Sequence, residues 1–169
     1  MKVIVLTGPS SSGKTITLKI VYEYLKEINE EETNSFHYLD SAKKDFYDVL
    51  VIKGIIVVIF TQGDYINKGA GRKTVLELLE EAENEGKVRN GRPVIVVCAY
   101  SQDTESDRNC KFFEILKSKY QIETINKTDS GRGLRVNNPK CVNANTNDSD
   151  EIKNAFDKLL KESQHEQHD

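Results

Sequence analysis

The chain has 169 residues, 37% hydrophobic and 30% charged, enough for one compact domain that buries roughly two thirds of its unfolded surface. Lys and Arg total 24 against 27 Asp and Glu, a formal charge of -3, which argues against broad electrostatic capture of nucleic acid. No stretch approaches the roughly 18 uninterrupted apolar residues of a membrane helix, and three dispersed cysteines, Cys98, Cys110 and Cys141, suggest neither a disulfide framework nor a zinc cluster.

Residues 2–7 (KVIVLT) are mainly apolar and rich in β-branched side chains, the pattern of a strand covered on both faces. This apolar run is short and enters a glycine loop at once, so it reads as a core strand and not a secretion signal; a cytoplasmic location is expected. From Lys14 to about Glu30, Leu18, Val21, Leu25 and Ile28 recur at helical spacing, which predicts a helix packed on a sheet. Polar residues 31–35 make a loop, and 36–39 read as a second strand ending at Asp40. Residues 45–60 read as a hairpin around Lys53-Gly54, its second arm (55–60, IIVVIF) wholly apolar.

A helix is expected from about Arg72 to Glu85, with Val75, Leu78, Leu79 and Ala82 on one face, followed by a buried strand at 93–100. Ser106 can cap a helix running to about Lys119, and 121–126 (QIETIN) make a further strand. Residues 127–147 lack periodicity and are expected to be an irregular surface loop, long enough to suggest function. The last helix is expected from about Asp148, where 148–151 resemble a capping box and Ile152, Ala155, Phe156, Leu159 and Leu160 form the buried stripe. Residues 164–169, with His165 and His168, read as a polar tail. Strands alternating with helices imply a parallel sheet between helical layers, with ligands collecting at the carboxyl ends of the strands, where Gly8, Asp40, Thr61 and Ser101 converge.

Gly8-Pro9-Ser10-Ser11-Ser12-Gly13-Lys14-Thr15 matches G-x-x-x-x-G-K-[ST] at every fixed position, between a strand and a helix. Glycines let successive amides curl around phosphate oxygens, and the helix dipole adds positive charge at its start. Lys14 is expected to neutralise the β- and γ-phosphates of a nucleoside triphosphate, ATP by preference, while the Thr15 hydroxyl ligates magnesium. Residues 1–163 then form one P-loop nucleotide-binding domain.

Phosphoryl chemistry also needs an acid near the metal. The arm 55–60 is followed by Thr61, and the first carboxylate after it is Asp64. Asp64 is therefore a candidate for the magnesium shell, its alternative being a turn aspartate beside Gly63. Asp40 competes with it as metal ligand or general base, the alternative there being a turn or helix cap. Arg72, Arg108, Arg132 and Arg135 are the candidates for stabilising migrating charge, with 130–136 a possible lid or base-binding loop.

These features resemble the small P-loop kinases, such as shikimate and gluconate kinases: the Gly8–Thr15 loop, the alternation of elements and the acid after the second strand. The likeness is specific at Gly8–Thr15 and positional elsewhere, and no arginine-rich lid follows Tyr100, where 101–107 are acidic and polar. The hairpin, the apolar arm and the Gln62-Gly63-Asp64 turn also resemble small bacterial P-loop proteins grouped with AAA-type ATPases. Ras-like GTPases carry Asp-x-x-Gly after the third strand and an Asn-Lys-x-Asp guanine reader after a later one; the corresponding stretches, 61–64 and 99–103, spell neither. The resemblance implies a three-layer α/β/α sandwich with a mainly parallel P-loop sheet of about five strands plus a hairpin strand. It also implies ATP and Mg2+ as ligands and phosphoryl transfer to a small metabolite or nucleotide. The alternative is an ATP-binding or hydrolysing switch or sensor read by a partner protein.

Overall fold

The run Lys2–Gly8 forms β1, buried at every position, in a computed structural model that describes residues 1–9, 11–61, 73–101, 114–128 and 137–166. Helix α1 (Lys14–Glu27) follows the loop. The second strand, expected over 36–39, is reduced to His37–Tyr38 (β2), because only these two residues pair in register with the next strand, at Tyr47 and Phe46. The hairpin is present as β3 (Phe46–Ile52) and β4 (Ile55–Phe60), closed by a two-residue turn in which Lys53 and Gly54 both have positive φ. Helix α2 (Val75–Val88) starts at a capping box in which Thr74 and Glu77 each bond the other's backbone amide. Then come β5 (Val94–Ser101), a helix α3 whose described part is 114–119, β6 (Gln121–Asn126) and α4 (Pro139–His165).

The chain is thus α/β, with a six-stranded sheet in the order β2-β3-β4-β5-β1-β6 and four helices among the described residues. The sheet, expected to be mainly parallel, is mixed. β4, β5, β1 and β6 pair in parallel, while β2 and β3 add antiparallel neighbours. Side chains alternate between two cores, as the two-residue period of strands requires. Ile4 and Leu6 face α1 and α4, and Val3 and Val5 face α2 and Leu116 of α3.

The largest departure from expectation is α4. Residues 139–147 are helical, not an irregular loop, and the supposed capping box at 148–151 lies inside the helix. The start is set by Asn138, whose side chain accepts the Lys140 amide, with Pro139 at the first helical position. The buried positions Cys141, Ala144, Asn145, Asp148, Ile152, Ala155 and Phe156 keep helical spacing throughout. Burial of Ile152, Phe156, Leu159 and Leu160, at about 1.5–3 kcal/mol each, holds the polar first half of the helix against the protein. The helix runs on to His165, two residues into the expected tail. Among the described residues no helix is long and apolar enough to cross a membrane.

A buried acid ties α1 to the β2 edge. Asp48 accepts the Tyr22 hydroxyl at 2.7 Å and the Ser35 hydroxyl at 2.6 Å. Burial, and then the bond to Asp48, raise the Tyr22 phenol above its ordinary value of 10.0. Its contribution to stability is whole below that value and fades as pH rises past it, because the unfolded chain ionises first. Tyr22→Phe is therefore expected to flatten the fall of the melting temperature above about pH 10; an equally steep fall in variant and parent would contradict this.

Candidate functional site

The loop after β1 is shaped by two close approaches and two residues of positive φ. Gly13 has φ +89°, and a Cβ there would lie 3.1 Å from Asn145 Oδ1. At Gly8 a Cβ would lie 2.8 Å from Lys127 Cβ and 3.1 Å from Ser12 Oγ. Ser11 also has positive φ, and the Ser12 amide donates to Pro9 O at 3.3 Å. Helix α1 starts at once, with no side-chain cap on its amino end and no acidic residue in its first turn. The positive end of its dipole is thereby left for an anion.

Lys14 is 7% exposed, and its ammonium donates to Gly8 O at 3.0 Å and Pro9 O at 2.6 Å, with Ser12 Oγ at 3.5 Å. It thus lies along the rim of the loop it is expected to serve. Thr15 points its hydroxyl to Asp45 Oδ1 at 3.4 Å, and the same carboxylate oxygen accepts the Thr61 hydroxyl at 3.0 Å. Thr61 is fixed in turn: its hydroxyl accepts the Phe46 amide at 3.0 Å, and its own amide donates to Phe46 O at 3.1 Å.

Asp45 is the acid that sequence reasoning missed. It precedes β3, and because β3 runs antiparallel to β4, its amino end lies at the same sheet edge as the carboxyl ends of the parallel strands. The usable signal was the hairpin itself: when a strand reverses, the residue before it joins the residues after its neighbours. Asp40 stands one layer behind. Its Oδ1 accepts the amides of Lys44 and Asp45 at 2.8 and 3.0 Å, and the Leu39 amide donates to Asp45 O, so Asp40 shapes the turn that presents Asp45. Ser101 is paired in register with Gly8 and buried. β5 separates β1 from β4, which sets Thr61 two strands, about 10 Å, from the loop strand. Helix α1 packs on β1, β5 and β3, and this crossing brings Thr15 to Asp45. Ser10, Asp64, Arg72, Arg108, Arg132 and Arg135 lie outside the described residues.

Behind the loop, Lys127 and α4 form a second polar layer. The Lys127 ammonium lies 2.5 Å from Asp148 Oδ2, with side chains 0% and 2% exposed, and the Lys127 amide donates to Thr7 O at 2.7 Å. Asn145 Oδ1 accepts the Thr17 hydroxyl at 3.2 Å. Residues 126–129 spell Asn-Lys-x-Asp, a spelling sought after β5 but present from the last residue of β6 onward. The Lys127 and Thr128 side chains both engage Asp148, and Asp129 lies outside the described residues.

The donor set fits the ligands expected. A threonine hydroxyl and a carboxylate are hard oxygen donors, and magnesium is usually held by one or two carboxylates together with phosphate oxygens, not by a closed protein cage. Among the described residues no group of three or more His, Cys, Asp or Glu could form such a cage. Comparison with protein-family models, with curated proteins and with solved structures returns no match.

Proposed function

We propose that the chain binds the polyphosphate of ATP with Mg2+ in the Gly8–Thr15 loop of a P-loop, three-layer α/β/α fold, and acts on the γ-phosphate. The observation that carries this reading is the joining of loop and acid: Thr15 and Thr61 converge on one oxygen of Asp45 beside a loop whose glycines leave room for little but backbone. In this reading the amides of the loop and of the first turn of α1 wrap the β-phosphate. Lys14 leaves the Gly8 and Pro9 carbonyls for phosphate oxygens, and Asp45 orients the Thr15 hydroxyl toward the metal. Magnesium, when bound with the nucleotide, neutralises charge on the phosphates. In the same reading Ser101, the register partner of Gly8 on β5, donates to the terminal phosphate or to an attacking water.

Two uses of that chemistry follow. The first is a kinase-like phosphotransferase acting on a small metabolite or nucleotide. The second is an ATP-hydrolysing switch or sensor, favoured by the bonds of Asp40: the acid expected to meet an acceptor hydroxyl gives one oxygen to two backbone amides. Incubation of the chain with γ-labelled ATP and magnesium, with and without mixtures of metabolites and nucleoside monophosphates, separates the two. Label in free phosphate alone supports the switch, and label in an organic product supports the kinase. No magnesium-dependent loss of label from ATP would sink both.

A further inference from the structure

The Lys127 side chain lies along the outside of the phosphate loop from one glycine to the other. A Cβ on Gly8 would meet Lys127 Cβ at 2.8 Å and Cγ at 3.7 Å, and a Cβ on Gly13 would meet Lys127 Cε at 3.7 Å. The stem therefore spans the loop's first and last fixed glycines, a reach that a leucine or valine lacks. At its near end the Lys127 amide is fastened to Thr7 O. At its far end the ammonium is fastened to Asp148 Oδ2, and Asp148 also takes the Thr128 amide at 3.1 Å and the Thr128 hydroxyl. One turn earlier on α4, Asn145 reaches Gly13 and Thr17. Lys127, Asn145, Asp148 and Thr17 are buried, while Gly13 is half-buried and Thr128 is exposed.

A buried ion pair is a poor source of net stability, since desolvation offsets much of the attraction and an apolar pair of the same volume often does as well. The geometry points to a different use: we propose that Lys127 is a positioning residue for the phosphate loop. Its stem is the wall against which Gly8 and Gly13 lie. Asp148 holds its ammonium on α4, outside the loop, so that the curvature of the amide nest is set by α4 and not by the loop alone. The two cations at the loop then have separate tasks: Lys14 serves the phosphates and Lys127 serves the backbone that surrounds them. This rests on the reading of Gly8–Thr15 as a phosphate site.

The test separates stem from charge in the full chain. In Lys127→Met/Asp148→Asn the stem is kept and both charges go, so no charge is orphaned; in Lys127→Ala/Asp148→Asn the charges go and the stem goes too. Two quantities are read well below the melting temperature: ATP affinity with magnesium, and hydrogen exchange at the amides of residues 11–15 without nucleotide. The stem-keeping pair is expected to bind within about threefold of the parent, and the stem-less pair about 10- to 100-fold more weakly, the range found when support of a site is lost. Faster exchange at 11–15 in the stem-less pair alone should accompany this. Should the stem-less pair fail to fold, Lys127→Leu/Asp148→Asn, which fills the space at Gly8 but stops short of Gly13, is read in its place. Equal affinity and equal exchange in the stem-keeping and stem-less pairs would overturn the proposal. If the parent bound no nucleotide, the phosphate-site reading would fall, and the exchange data would still decide whether Lys127 shapes the loop.

Discussion

Lys14→Ala is expected to weaken ATP binding on the order of a thousandfold, the equivalent of two charge-assisted bonds to phosphate at about 2 kcal/mol each. Lys14 is the first residue of α1, and its ammonium already sits at the loop rim on Gly8 O and Pro9 O, within reach of an anion cradled there. Those two bonds also mean that the lysine helps to hold the loop, so the variant should lose some order at Pro9 and at 11–13 as well as the ligand contact. Bonds from a charged donor contribute about 1.5–3 kcal/mol net each, so the melting temperature of a chain of this size should fall by several degrees or more while the two cores stay intact. Calorimetric titration beside a thermal melt distinguishes the effects. An affinity within about threefold of the parent would show that Lys14 does not meet the phosphates.

Asp45→Asn should split binding from chemistry. The amide oxygen of asparagine can still accept the Thr61 hydroxyl, which lies 3.0 Å away in the parent, so local structure is preserved while the negative charge is removed. Without magnesium the variant is expected to bind ATP as well as the parent or better, because a carboxylate beside the phosphates repels them. With magnesium the gain in affinity and the turnover of ATP should both fall about 10- to 100-fold, the usual cost of disturbing the groups that orient a metal's ligands. A loss of equal size with and without magnesium would assign Asp45 to folding of the turn and not to the metal.

The part of the site that could be read from the sequence is the part spelled locally. Gly8, Gly13, Lys14 and Thr15 lie within eight residues, and the apolar strand before them and amphipathic helix after them give the loop its setting. The hairpin was legible for the same reason, since Lys53-Gly54 stands between two apolar runs. Asp45 was hidden because its place depends on strand direction: an acid before a strand reaches the ligand edge only if that strand is antiparallel, as β3 is. The opening of α4 was hidden by its polar surroundings. Where a helix faces an apolar sheet its buried stripe is written in Ile, Phe and Leu, as at Ile152, Phe156 and Leu159. Where it faces the loop the stripe is written in Asn145, Asp148 and Ser149, which look like surface residues to any count of apolar periodicity. Lys127, directly after β6, looked like a loop lysine for the same reason, although its side chain is wholly buried.

The most direct measurement is a calorimetric titration of the full chain with inorganic tripolyphosphate, ATP and GTP, each with and without magnesium. Tripolyphosphate carries no base or sugar, so it asks only whether the amides of Gly8–Thr15 receive an anion. Saturable binding of tripolyphosphate, tighter binding of at least one nucleotide and a magnesium-dependent gain for that nucleotide are the predicted results. Flat titrations with all three ligands up to about millimolar concentration, where even an affinity of some -4 kcal/mol would register, would contradict a phosphate-binding loop at Gly8–Thr15.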